Sequence, residues 1–154
     1  MELFLDSEFN GHGGQLLSLA LANPSKTGKH FYARLPDPAH WHPWVKENVV
    51  PHFGVEPEEM IVFRHRLRTY LQCREPVTIY ADWPADFYYL TDLMCGAAFE
   101  DSWFVECQMV LLRGTDPKSV QPHNALSDAI ALMEWHGARL SQGNYKSAIA
   151  TWAT

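Results

Sequence analysis

A mixed α/β sheet flanked by helices is the fold class this sequence predicts, and three observations predict it. The first 35 residues hold three short apolar or aromatic runs joined by tight polar turns, which is the mark of an antiparallel meander. From Glu56 onward, helical and β-branched segments alternate, the pattern that builds parallel strands linked by helices. The 154-residue chain is 47% apolar and 19% charged, so it can bury the core such a sheet needs as one domain over residues 1–154.

The elements follow in order. LFLDSEF, ending at Phe9, reads as the first strand, and the glycine-rich turn NGHGGQ leads to the apolar run LLSLALA. After NPSKTGK comes HFYARL, short and aromatic. The punctuation LPDPAHWHP opens into PWVKENVVPHF, a short helix ended by Pro51. Glu56 to about Gln72 reads as a helix, with Pro57 near its start and acids in its first turn. PVTIYADW is a β-branched strand, and PADFYYLTDLMCGA is a helix opening on Pro84. SWFVECQMVLL becomes a strand in its later part. Asn124 to about Leu140 is the last long helix, with Asn124 as N-cap and Gly137 a weak spot, and SQGNYKSAIATWAT closes the chain with a short helix.

Charge and cysteine usage narrow the function classes. Twelve Lys plus Arg against eighteen Asp plus Glu leave a net charge of −6, the wrong sign for gripping nucleic acid by bulk charge. A polyanionic substrate would need a local positive feature, such as a basic patch or bound metal ions. Three cysteines without CxxC spacing favour reduced thiols in a cytoplasm over disulfides or a zinc knuckle, and they read as small buried hydrophobes. No basic n-region precedes an apolar stretch, and no run reaches the roughly 18 apolar residues of a membrane span. The expectation is a soluble cytoplasmic protein with no membrane partner.

The chemistry starts at Asp6-Ser7-Glu8. Residues two apart in a strand project from one face, so Asp6 and Glu8 sit roughly 6.5–7 Å apart along the backbone. Two like charges there need something positive between them. Asp82 and Asp86 stand where a strand meets a helix, His123 just before the last helix, and Asp128 beside that helix's apolar stripe of Ala125, Ala129 and Ile130. Carboxylates with no usable thiolate point to two divalent ions, Mg²⁺ or Mn²⁺. Such a pair clamps the attacking and leaving oxygens of a phosphodiester displacement.

These motifs resemble those of the DEDD superfamily of 3′–5′ exonucleases, in its histidine-type (DEDDh) branch. Asp6-Ser7-Glu8 matches the first motif; Asp86 with Leu90 matches the second; His123, Ala125 and Asp128 match the third. HPWVKENVVPHF and YADWPAD look most like the small, single-domain exoribonuclease-like group. The resemblance implies a ribonuclease H-like sheet, a three-strand antiparallel meander plus parallel strands. It also implies that Asp6, Glu8, Asp86 and Asp128 hold two metal ions and that His123 is the general base for the attacking water. The implied substrate is a single-stranded 3′ end, RNA more than DNA, releasing 5′-nucleoside monophosphates. Small relatives often act as homodimers, so the implied assembly is a homodimer.

Two positions depart from the pattern. Asp82 stands where the second motif commonly has Asn, and it would either support the metal ligands from behind or compete for the metal. Phe9 follows the first motif where many relatives have a small hydroxyl residue, and would either stack on a terminal base or fill the core. Trp83 is the aromatic expected to be exposed for stacking on unpaired bases. Two rivals share the pattern: a catalytically silent nucleic-acid-binding module on the same fold, and a phosphodiesterase of small molecules such as dinucleotides. Elsewhere, His40 and His42 of HWHP read as a polar turn rather than a metal site. Arg64 and Arg68 of FRHRLR share a helical face that is either simply solvated or a guide for a phosphate backbone.

Overall fold

The computed structural model describes residues 1–96 and 101–141. Five strands form one mixed sheet: β1 (Glu2–Phe9), β2 (Leu16–Ala22), β3 (Phe31–Arg34), β4 (Val77–Ala81) and β5 (Cys107–Leu111). Their order is β3-β2-β1-β4-β5. β1, β2 and β3 are an antiparallel meander, whereas β4 and β5 run parallel to β1. The helices are α1 (Pro43–Asn48), α2 (Met60–Gln72), α3 (Pro84–Cys95) and α4 (Ala125–Ser141), with a 3₁₀ turn at Val50–His52. The expected mixed sheet and element order are therefore observed. The closing helix read into the tail falls on residues 142–154, outside the described residues.

Alternation along β1 assigns the two faces. Leu3 and Leu5 pack with Leu19 and Leu21 of β2 against Phe63, Leu67 and Leu71 of α2 and Leu90 and Leu93 of α3. On the other face, Phe4, Ala20 and Ala22 meet Ala125, Ala129 and Leu132 of α4. Every residue of β2 is buried, because both faces are covered and neighbours flank it on each side. The alanines of β2 and α4 let helix and sheet approach closely, which brings the start of α4 down to the rim of the sheet.

Asn124 anchors that approach. Its side-chain oxygen accepts the Ser127 backbone N–H at 2.9 Å, as an N-cap should. Its amide nitrogen donates to the His52 carbonyl at 2.6 Å and to the Tyr32 hydroxyl at 3.2 Å. The start of α4 is thus tied to the 3₁₀ turn and to β3.

Three expectations need correction. α2 begins at Met60 rather than Glu56, so the acids and Pro57 lie ahead of the helix. Pro57 disfavours helical geometry at Glu56, and the Glu58 N–H instead donates to the Arg34 carbonyl at the end of β3 (2.9 Å). Pro51 does not stop a helix directly; α1 ends at Asn48, and Pro51 sits inside the 3₁₀ turn. Cys73 and Cys95 are exposed rather than buried, since they occupy the C-terminal ends of α2 and α3 beyond the packed stripes. The HWHP segment is a turn: the His42 N–H donates to Asn10 Oδ1 at 2.8 Å, and Asn10 Nδ2 donates to the His40 carbonyl at 2.7 Å.

Removing the anchor has a measurable cost. Asn124→Ala deletes a cap and leaves the His52 carbonyl without its donor, so urea denaturation should show a loss of about 2 kcal/mol. A loss below about 0.5 kcal/mol would mean that α4 is held by its apolar face alone.

Candidate metal centre

The opening motif divides across the sheet. Asp6 and Glu8 pair with Ala20 and Ser18 of β2 and so project toward α4, on the face that carries Phe4. Ser7, between them, projects the other way and donates its hydroxyl hydrogen to Asp86 Oδ1 at 2.6 Å. Asp86 lies in the first turn of α3, which starts on Pro84 with Trp83 as the extended N-cap residue. Asp82 follows directly on β4. The parallel register pairs Phe4 with Tyr80, and continuing it sets Asp82 level with Asp6. The Thr115 hydroxyl donates to Asp82 Oδ2 at 2.9 Å. Asp128 lies in the first turn of α4, and its Oδ2 accepts the His123 backbone N–H at 2.9 Å.

These placements create two trios of carboxylate oxygens. One oxygen from each of Asp6, Glu8 and Asp128 lies within 4.8 Å of the other two, and the same holds for Asp6, Asp82 and Asp86. Asp6 belongs to both, so the trios are adjacent. The structure therefore brings together all four carboxylates expected from the motifs and adds Asp82 as an equal member. His123 stands at their edge in a left-handed backbone conformation (φ 65°), uncommon for a residue with a side chain. Its imidazole is half-buried and meets the indole of Trp44 edge-on, with ring centres 5.0 Å apart.

The two aromatic candidates differ. Phe9 is half-buried at a β-bulge and stacks on Tyr89 with ring centres 5.0 Å apart, against the core. Trp83 is 55% exposed at the mouth of α3. Ser7, Thr115 and Trp44 were not singled out from the sequence. Strand alternation gives the direction of Ser7, but its partner Asp86 is 79 residues away, beyond the reach of any local pattern.

Electrostatics make the cluster unstable on its own. Asp86 is only 1% exposed, and the oxygens Asp6 Oδ2 and Asp86 Oδ2 are buried with no hydrogen-bond partner among the described residues. The ion pairs among those residues, Arg34–Asp37, Arg66–Glu58 and Lys118–Asp116, involve none of the five carboxylates. Burial holds Asp6 well above the ordinary carboxylate range, reinforced by Asp86, Glu8, Asp128 and Asp82. Burial, then Asp128 and Asp86, pushes Glu8 up to about 8. Burial pushes Asp86 up to about 7 against the opposing Ser7 hydrogen bond, with Asp82 adding to the rise. Asp128 is also raised, chiefly by burial. Carboxylate oxygens in two sets of three, with Asp6 Oδ2 and Asp86 Oδ2 buried and unpartnered among the described residues, suit hard divalent cations, and the donors contain neither thiolate nor ring nitrogen that would favour zinc.

No protein-family model matches the chain, and no curated protein matches it. No helix among the described residues is long and apolar enough to cross a membrane.

The raised carboxyl pKa values make stability depend on pH, and a metal bound among these groups would change that dependence. The cluster's carboxyl groups hold protons more tightly folded than unfolded, so their contribution is full below the ordinary carboxylate range. It is lost as pH rises toward about 8. In EDTA, the melting temperature should fall between about pH 5 and about pH 8, and Glu8→Gln should flatten that slope. Mn²⁺ should raise the melting temperature more at the upper pH than at the lower, because it replaces the protons. Equal metal stabilisation at both ends, or an unchanged slope in Glu8→Gln, would count against a metal centre at these residues.

Proposed function

We propose that this chain is a metal-dependent 3′–5′ exonuclease that hydrolyses single-stranded nucleic acid, RNA in preference to DNA, from its 3′ end on a ribonuclease H-like domain. The observation that carries the reading is the pair of adjacent carboxylate trios sharing Asp6, with His123 tied to Asp128 at their edge. A metal centre alone fits many chemistries; a centre of two oxygen-only cradles beside an imidazole fits phosphodiester hydrolysis best. Asp6, Glu8, Asp82, Asp86 and Asp128 would hold two divalent cations, which would supply Lewis acidity for phosphodiester hydrolysis.

The chain's own groups do the remaining work. Asp6, Glu8 and Asp128 form one cradle, and Asp6, Asp82 and Asp86 the other. Ser7 holds Asp86 in position from the far face of β1. The Asp128 carboxylate fixes the His123 backbone, and the Trp44 edge fixes its ring, so that an imidazole nitrogen can take a proton from water. Trp83, exposed where α3 begins, offers a face on which an unpaired base can stack. Phe9, stacked on Tyr89, is better placed to support that wall than to touch a base itself.

Incubating the protein with 5′-labelled single-stranded RNA and DNA oligonucleotides and Mn²⁺ should give shortening from the 3′ end and nucleoside 5′-monophosphates, stopped by EDTA. His123→Ala should lower turnover by about 10²- to 10⁴-fold while leaving Mn²⁺ affinity nearly unchanged. Asp6→Asn should lose both. Binding without turnover would favour a silent module, and preference for a dinucleotide or a generic phosphodiester would favour the small-molecule enzyme. Normal turnover in His123→Ala would remove the imidazole from the mechanism.

A further inference from the structure

A cavity of about 450 Å³ lies between the start of β3 and the C-terminal half of α2, lined in part by Lys29, His30, His65, Arg66, Tyr70 and Arg74. No Asp or Glu lines it, although acids outnumber bases in the chain as a whole. Arg74 is half-buried, with its guanidinium 3.6 Å from the centre of the Tyr70 ring and its Nη1 donating to the Tyr70 carbonyl at 2.5 Å. The Tyr70 hydroxyl in turn donates to the Lys29 carbonyl at 2.9 Å, tying the loop that carries Lys29 and His30 to the helix. The cation is therefore held in place before any ligand arrives.

Arg66 is paired with Glu58 at 2.5 Å. Among the described residues, neither Lys29 nor Arg74 forms an ion pair, and Glu75, next to Arg74 in sequence, makes none with it. Three permanent cations less one carboxylate leave two positive charges facing the cavity. A phosphate monoester carries about two negative charges at neutral pH and pyrophosphate carries more, and both offer oxygen acceptors to which a fixed guanidinium fork donates well. The volume matches a small phosphorylated molecule.

We propose that this cavity is a second binding site, separate from the carboxylate cluster, for a small phosphate-bearing anion. The two sites lie at opposite ends of the sheet. Arg74 lies three residues before the start of β4, which enters beside Glu2, whereas the carboxylates gather where β1 and β4 end. The span from Glu2 to Glu8 alone is about 20 Å at the rise of a strand. A neighbouring cavity of about 380 Å³ on the other side of His65 is a poorer candidate. There Arg64 donates to the Leu93 and Asp101 carbonyls at 2.7 Å each, and the acid Asp101 is part of the wall.

Cys73 also lines the proposed site and is exposed, which supplies a local readout. In EDTA, which leaves the carboxylate cluster without metal, alkylation of Cys73 by iodoacetamide is followed by peptide mass spectrometry, with Cys95 as internal control. Pyrophosphate and adenosine 5′-monophosphate should slow Cys73 alkylation by about tenfold at ten times their dissociation constants, leaving Cys95 unaffected. Adenosine, which lacks phosphate, should not protect. Arg74→Gln and the exposed-site variant Lys29→Gln should each weaken protection at least about tenfold, whereas Asp6→Asn should retain it. Circular dichroism of Arg74→Gln separates loss of binding from loss of fold, and Lys29→Gln tests the site where Arg74→Gln fails to fold. Absence of protection, equal protection by citrate, or full protection in Lys29→Gln would overturn the proposal. Because the test uses neither metal nor nucleic acid, its failure leaves the exonuclease reading untouched, and the converse also holds.

Discussion

Repulsion among five carboxylates is the constraint on which the rest of this structure depends. Asp6, Glu8, Asp82, Asp86 and Asp128 come from two strand ends and two helix starts, and two of their oxygens are buried without a hydrogen-bond partner among the described residues. Separated groups of this kind would stay solvated and ionised; brought together and desolvated, they cannot all remain charged. Either protons or cations must occupy the space between them. The upward pKa shifts are the signature of the proton solution, and the oxygen trios have the shape of the cation solution.

The fold supplies what opposes that repulsion. β1 and β2 are sealed between α2 and α3 on one face and α4 on the other, so their backbone has little freedom to splay. The small residues Ala20, Ala22, Ala125 and Ala129 bring α4 close enough for Asp128 to share space with Asp6 and Glu8. Asn124 fixes the same helix end through three hydrogen bonds, and the adjacent His123 takes up the left-handed backbone turn this connection needs. Apolar burial and capping thus stabilise an arrangement that electrostatics alone would disperse.

Charge in this protein is segregated along the sheet. The rim where β1 and β4 end gathers acids, while the opposite end gathers Lys29 and Arg74 around Tyr70. A net charge of −6 conceals this, because a sum over the chain carries no information about position. The basic FRHRLR run is likewise not one surface. Arg64 is spent on backbone carbonyls, Arg66 on Glu58, and Arg68 on Gln72.

By itself the sequence determined the meander, the alternation of helix and strand, the Asn124 cap and the shared face of Asp6 and Glu8. All of these are local: periods of 2 and 3.6, turn residues and caps act over a few positions. It misplaced the start of α2, where a long-range hydrogen bond from Glu58 to Arg34 outweighs the local helix signals of Pro57 and the acids. It also missed Ser7 holding Asp86 and Trp44 flanking His123, and it gave no position for the Asp82 carboxylate relative to Asp6. Only the tertiary structure decided those. The parallel register of β1 with β4 sets Asp82 beside Asp6, and pairing across more than seventy residues is fixed by packing of the whole sheet, which no short stretch of chain encodes.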